Sequence, residues 1–201
     1  MKNIITSSLE KSLTYAAYRS FVTDALTNNL DALAINSDYL PYAQLNETRL
    51  KRLDKTMKVD ETMAQQLKQL KNNYLWLVIS ESWCGDAAQC LPVMDKLVEV
   101  TEAIDLKVVF RDQNLELMDL FLTNGGRSIP KLLILDRDTL EVLADWGPRP
   151  AGAQQFIIDY KAAHGSIDEE GKTGLQLWYT KDKGQEIKTE LLNLMIGLDS
   201  K

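Results

Sequence analysis

The sequence predicts an α/β protein in which a central mixed sheet is flanked by helices, with helical extensions before and after it. Between residues 74 and 165, short apolar runs alternate with amphipathic stretches, a pattern typical of strands and helices that build one sheet. Only a short polar link separates the last two strand-like runs, which favours a hairpin beside an otherwise parallel arrangement. Helical spacing of apolar residues dominates residues 9–73 and returns after residue 166.

Residues 1–73 are expected to form a helical N-terminal extension. Their apolar residues recur at intervals of three or four, and polar clusters interrupt the series. Asp60 is the expected N-cap of the last helix, because it precedes the apolar series Met63, Leu67 and Leu70. No strand is predicted in this extension.

Residues 74–165 are expected to form the α/β core, in the order strand, helix, strand, helix, strand, strand, helix. The expected strands are 74–80, 106–110, 131–136 and 139–146, and the expected helices are 84–102, 114–124 and a last one that ends near residue 165.

Residues 166–201 are expected to form a helical C-terminal extension with apolar faces around Leu175, Trp178 and residues 191–195. The apolar stripes of both extensions must pack on the sheet, on each other or on a second subunit. A homodimer through the extensions is therefore one expectation, and a single compact domain of all three segments is another.

Composition and charge narrow the function classes. The chain has 201 residues, 45% hydrophobic and 26% charged, so it can bury a core without disulfide or metal support. A net charge of −6 without any Lys/Arg-rich run argues against nucleic acid or an anionic membrane as partner. The N-terminus does not resemble a signal peptide, and no stretch reaches the roughly 18 apolar residues of a membrane span. We expect a cytoplasmic protein with reduced thiols.

Three motifs, in order along the core, carry a family resemblance. They are "WCGDAAQCLP" after the first strand, "GGRSIPKLLIL" at the third strand and "DWGPRP" before the last helix. On these motifs, residues 74–165 resemble the thioredoxin superfamily, about half of the chain. The string with Asp86 and the flanking helical segments is similar to a bacterial group of thioredoxin-like proteins.

The resemblance implies a nucleophilic thiol, Cys84, and a substrate groove beside it. In the family, a cis proline closes that groove and the residue before the proline offers its backbone to an extended substrate; Pro130 and Ile129 match them. The expected substrate-binding residues are Trp83, Gly85, Asp86, Arg127, Ile129, Pro130 and Gly147. No cofactor is implied, and one histidine with two cysteines offers no credible zinc site.

Two departures from the family pattern make the site monothiol. The second cysteine of the family stands three residues after the first, where this chain has Ala87. The buried aspartate of the family, which helps to move protons, matches Val78. Both the resolving thiol and the proton relay of a dithiol reductase are therefore missing.

Cys90 is a candidate resolving thiol, but helix geometry opposes it. In a helix that begins at Cys84, six residues separate the two Cα atoms by about 9 Å along the axis. A disulfide requires about 7 Å or less, so the bond would need the first turn to unwind. Pro92 weakens that turn, yet Cys90 also falls in an apolar row where a small thiol packs well.

The charge around Cys84 has opposing contributions. A helix N-terminus lowers the pKa of a thiol, whereas Glu81 and Asp86, if ionised nearby, raise it. Arg127, in the loop that faces the cysteine in the family, is expected to offset these acids, and Arg149 is expected to be a solvated loop residue. The net pKa does not follow from the sequence.

The leading hypothesis is thiol–disulfide exchange by Cys84 alone, through a mixed disulfide with a protein or a low-molecular-weight thiol. The alternative is a redox-inactive thioredoxin-fold module that binds a partner in the cis-proline groove. A weaker third hypothesis is a thiol that senses peroxide through a sulfenic acid. His164 near the end of the last core helix is expected there for electrostatic reasons, not as a catalytic partner.

Overall fold

The computed structural model describes residues 1–200, and one five-stranded sheet lies in that range. The strands are β1 (Leu13–Thr14), β2 (Tyr74–Ser80), β3 (Ile104–Phe110), β4 (Lys131–Asp136) and β5 (Val142–Trp146). Their order across the sheet is β1-β3-β2-β4-β5. β2 and β3 are parallel, whereas the other neighbouring pairs are antiparallel. The sheet is mixed, as predicted, with β4 and β5 as its hairpin.

Nine α-helices lie within residues 1–200. They are α1 (Lys2–Glu10), α2 (Tyr15–Asn28), α3 (Leu40–Thr56), α4 (Glu61–Lys68), α5 (Ala87–Val98), α6 (Leu115–Met118), α7 (Ala151–His164), α8 (Glu169–Asp182) and α9 (Gln185–Asp199). The helical extensions before and after the core are present, and Asp60 caps α4 through a hydrogen bond from the Met63 amide at 2.9 Å. In the described part of the chain, no helix is long and apolar enough to cross a membrane.

The N-terminal extension differs from the prediction in one respect, because it contributes a strand. Leu13 and Thr14 pair with Val108 and Lys107 of β3. With only two residues, the strand is too short to interrupt the helical spacing of apolar residues in the sequence. This short pairing covers the outer edge of β3.

The strand β2 lies at the centre of the sheet and leads to the motif with both cysteines. All seven of its residues are buried, which explains why the strand has an unbroken apolar run and no alternation. Its parallel register with β3 and antiparallel register with β4 place the ends of three strands near the residues that follow Ser80.

The C-terminal extension packs against the sheet. The indole of Trp76 donates to the Met195 sulfur at 3.3 Å, in the buried layer between β2 and α9. At the end of α9, the Asp199 carboxylate accepts from the amides of Lys71 and Asn72 at 3.0 Å and from the Tyr74 hydroxyl at 3.0 Å. The last helix is therefore fixed to the start of the central strand.

Candidate functional site

The candidate site is the loop between β2 and α5. The helix begins at Ala87, with Asp86 as its N-cap residue, so Cys84 precedes the helix instead of opening it. The predicted helix at 84–102 is therefore too long at both ends, since α5 ends at Val98. The backbone is nevertheless already turned at Cys84, whose carbonyl accepts from the Ala88 amide at 3.1 Å.

The thiol of Cys84 is held between two backbone groups. Its Sγ donates to the Ile129 carbonyl at 3.3 Å and accepts from the Ala87 amide at 3.4 Å. The peptide bond between Ile129 and Pro130 is cis. Cys84 is 7% exposed, so the sulfur lies beneath the surface, beside the loop that precedes β4.

The pKa of the Cys84 thiol is raised from its ordinary value of 9.0 to about 12. Burial is the main cause, and the charge of Asp86 adds to it, whereas the Ala87 amide opposes both. The expected lowering by the start of the helix is thus outweighed. In this conformation the thiol is protonated at neutral pH.

Asp86 is part of a buried polar cluster. Its carboxylate pairs with the Arg149 guanidinium at 2.6 Å and accepts from the Tyr179 hydroxyl at 2.9 Å. Burial raises the pKa of Asp86, and both partners oppose that shift. Arg149 was expected to be a solvated loop residue, so this expectation is wrong.

Arg127 does not offset the acids beside Cys84. Its guanidinium pairs with Asp119 at 2.6 Å, and both side chains are about half exposed, at 46% and 47%. The cation that faces Asp86 is Arg149, from the loop before α7. The loop before β4 carries Arg127 and the loop before α7 carries Arg149. Which of the two arginines pairs with Asp86 is decided by the folded geometry.

Glu81 is a second buried acid near the thiol. It is 3% exposed, and its carboxylate accepts from the Asp112 amide at 2.9 Å. Burial raises the pKa of Glu81 to about 7. The family's acid position, Val78, lies in β2 and is completely buried. Glu81 is therefore the titratable group of this loop that changes charge near neutral pH.

The Trp83 ring packs against two of the protein's own side chains. The Tyr39 ring stacks on it with centroids 4.5 Å apart and an angle of 18°, and the Arg111 guanidinium lies 4.9 Å from its ring. Tyr39 belongs to the N-terminal extension, just before α3. The indole thus contacts an aromatic ring from the N-terminal extension and a cation from the core.

Gly85 lies under side chains from both extensions. A Cβ at this position would stand 3.3 Å from the Gln176 amide nitrogen of α8 and 3.6 Å from the Arg49 guanidinium of α3. Together, Tyr39, Arg49, Arg111 and Gln176 form what we call the cover of the cysteine loop. Of these side chains only Arg111 comes from the core.

Gly147 has a positive φ of 113° and closely approaches the Pro130 carbonyl, where a Cβ would collide. The position therefore requires glycine. The next peptide bond, between Gly147 and Pro148, is also cis. Gly147, Ile129 and Pro130 thus lie together on the side of the loop that bears the thiol.

The remaining candidates lie apart from this cluster or are inaccessible. Cys90 is completely buried in α5, and both cysteines are free thiols. The His164 ring stacks on Tyr160 at 4.2 Å, at the end of α7. Among residues 1–200, no group of three or more His, Cys, Asp or Glu side chains is arranged to hold a metal ion.

Sequence reasoning missed the contacts that the extensions supply. Tyr39, Arg49, Gln176 and Tyr179 are far in sequence from Cys84 and belong to no motif. No local pattern distinguishes them from ordinary helix residues. They become visible only when α3 and α8 are placed against α5.

A thioredoxin family model matches residues 34–162 of the chain. The chain is similar to the crystal structure of a protein of unknown function from Pseudomonas aeruginosa, at 18% identity and a TM-score of 0.56, over 92% of this chain and 98% of the other. It is also similar to an HIV epitope-scaffold, at 17% identity and a TM-score of 0.52, over 92% and 99%. At these identities the similarity concerns the fold alone. No curated protein matches the chain.

Proposed function

The chain belongs to the thioredoxin family, and on that basis we propose that Cys84 performs thiol–disulfide exchange as a single nucleophilic thiol. The observation that carries the proposal is the position of the Cys84 sulfur, which forms hydrogen bonds with the Ile129 carbonyl and the Ala87 amide. The amide stabilises negative charge on the sulfur, and the carbonyl belongs to the cis-proline loop. Ala87 offers no resolving thiol, and Cys90 is completely buried.

The exchange has two steps. The Cys84 thiolate attacks one sulfur of a disulfide, so that a mixed disulfide forms and the other sulfur leaves as a thiolate. The proton lost by Cys84 is taken up by solvent or by that leaving thiolate. A second, external thiol, acting as its thiolate, then attacks the mixed disulfide and releases Cys84. The proposed substrate is a disulfide of a protein or of a low-molecular-weight thiol.

We expect the resting thiol to react only after water gains access to the cysteine loop. With a pKa of about 12, the thiolate fraction at pH 7 is on the order of 10⁻⁵, compared with about 1% at the ordinary value. Movement of Tyr39, Arg49 or Gln176 away from the loop would admit water and reverse the effect of burial. The observed reactivity would then equal that of the open state multiplied by its population.

Incubation with oxidised glutathione, followed by intact-mass analysis, tests the proposal. We expect one glutathione adduct on the native protein and on Cys90→Ser, and none on Cys84→Ser. Tyr39→Ala should accelerate the adduct about two- to tenfold, because a stacked aromatic pair contributes roughly 0.5–1.5 kcal/mol. Leu45→Ala truncates a side chain of α3 that is 48% exposed, and serves as the matched control.

Two outcomes would contradict single-thiol exchange. A loss of two hydrogens without an adduct would mean that Cys90 resolves Cys84. No adduct under any condition, including Tyr39→Ala, would mean that Cys84 performs no exchange.

The second candidate is a redox-inactive module that binds a partner in the cis-proline groove. Burial of Cys84 and its raised pKa favour this alternative, since both suppress the thiolate. Partner capture that is unchanged in Cys84→Ser, together with the absence of any adduct, would support it. A homodimer through the helical extensions stays a prediction, which the molecular mass in solution would test.

A further inference from the structure

A groove runs between α3 on one side and α8 with the start of α9 on the other. It consists of two adjoining cavities of about 470 and 250 Å³, which share Arg52, Gln89 and Thr180 as wall residues. We call it the α3–α8 groove. Gln89 of α5 forms part of its base, and the groove lies outside the contacts that hold the Cys84 sulfur.

The lining of the α3–α8 groove is strongly cationic. Five basic residues line it: Arg49, Arg52, Lys58, Lys183 and Lys188. Within residues 1–200, no Asp or Glu lines either cavity, and none of the five forms a salt bridge. This concentration of positive charge contrasts with the net charge of −6 of the whole chain. Such a concave surface attracts anions.

One of the five basic residues, Lys188, is largely buried. It is 8% exposed, and its ammonium group donates to the Lys58 carbonyl at 3.2 Å, with no carboxylate of the described chain in salt-bridge range. An anion in the groove would give this ammonium group the counter-charge that it lacks. Arg49 is half-buried beside Arg52, and burial together with the charge of Arg52 lowers its pKa.

The larger cavity also has an apolar part. Leu53, Met57 and Ile187 line it and are themselves buried, while Gln89 and Thr180 offer hydrogen-bonding groups. Its volume lies in the range of roughly 300–1,000 Å³ that is usual for small-molecule sites. Cationic walls beside an apolar surface suit a ligand that has both an anionic group and a hydrocarbon portion.

We propose that the α3–α8 groove binds a small organic anion, with a phosphate or a pair of carboxylates held by Arg52, Lys183 and Lys188 and an apolar portion against Leu53 and Ile187. The phosphate or carboxylate accepts charge-assisted hydrogen bonds from the basic residues. This site goes beyond thiol exchange, because no ligand contact involves Cys84. Binding is expected to be the same in Cys84→Ser.

Calorimetric titration at low ionic strength tests the proposal with defined probes. Octyl phosphate and octylmalonate carry the same chain on a phosphate and on a dicarboxylate, and octyl glucoside carries it on a neutral group. We expect both anions to bind more tightly than octyl glucoside and than inorganic phosphate, and to weaken as salt rises. The anion that binds more tightly shows whether the groove prefers a phosphate or a pair of carboxylates.

Matched double variants locate the site. Arg52→Gln with Lys183→Gln should weaken the better anion about tenfold, since each exposed charge pair contributes a few-fold. Lys55→Gln with Lys181→Gln removes the same charge at exposed positions of α3 and α8 that lie outside the groove, within three residues of Arg52 and Lys183, and should leave the affinity unchanged. Equal weakening by both pairs, or anion binding no tighter than that of octyl glucoside, would overturn the proposal.

Discussion

Replacing Glu81 with glutamine should change how the stability of the protein depends on pH. The carboxyl is 3% exposed, and its pKa rises from 4.5 to about 7 because burial disfavours the charged form. Glutamine retains an oxygen that can accept from the Asp112 amide, so the substitution removes the charge and preserves the contact. The expected effect is therefore electrostatic.

The sign follows from the two pKa values. Below about pH 4.5 the carboxyl is protonated in both the folded and the unfolded chain, so its ionisation does not change the free energy of unfolding. As pH rises towards 7, this carboxyl ionises in the unfolded chain but stays protonated in the folded protein. The free energy of unfolding of the native protein therefore falls over this pH range. A difference of 2.5 pKa units corresponds to about 3 kcal/mol. Glu81→Gln should thus gain about 3 kcal/mol over the native protein between pH 4.5 and 8.

Urea unfolding of both proteins at pH 4.5, 6 and 8 measures this difference. Asp95, whose pKa burial also raises to about 7, is present in both proteins and cancels in the comparison. Glu102→Gln, at an exposed position, is the control and should show no such trend. A stability difference that is constant across this pH range would refute the reasoning.

Two further changes test contacts of the site, each by urea unfolding. Arg149→Met leaves Asp86 buried without its counter-charge and should cost about 3–5 kcal/mol, whereas Arg127→Met removes an exposed pair and should leave the midpoint unchanged. Equal effects would contradict the assignment of Arg149 as the partner. Gly147→Ala forces a methyl group against a backbone carbonyl and should cost about 3 kcal/mol or more. Gly125→Ala, also at positive φ but in open space, should cost only about 1 kcal/mol, and a similar loss at both positions would exclude the collision.

Strong local signals allowed much of the core to be predicted. The run at 131–136 became β4 with the predicted bounds, since a continuous apolar stretch between polar clusters has few other solutions. The cap at Asp60 followed from a side chain that bonds within its own turn. By contrast, α6 covers only 115–118 of the predicted 114–124. Its later leucines, Leu120 and Leu122, are exposed, and no packing extends the helix.

The site was predictable only where a motif is local. The family motifs indicated Cys84 and Pro130, and the structure places Ile129 beside the sulfur. The charge partners were not predictable, because Asp86 meets Arg149 and Tyr179 from distant segments. The direction of the thiol pKa was also out of reach, since burial of Cys84 results from tertiary packing and not from its position before a helix.

The hydrogen bonds of Asp199 have a consequence for the order in which contacts form while the chain is synthesised. Its carboxylate accepts from the amides of Lys71 and Asn72 and from the hydroxyl of Tyr74, at the start of the strand that leads to the cysteine loop. Asp199 leaves the ribosome 125 residues after Tyr74, the first residue of that strand. The hydrogen bonds to Asp199 can therefore form only after the 125 residues that follow Tyr74 have been synthesised, and until then the central strand lacks them.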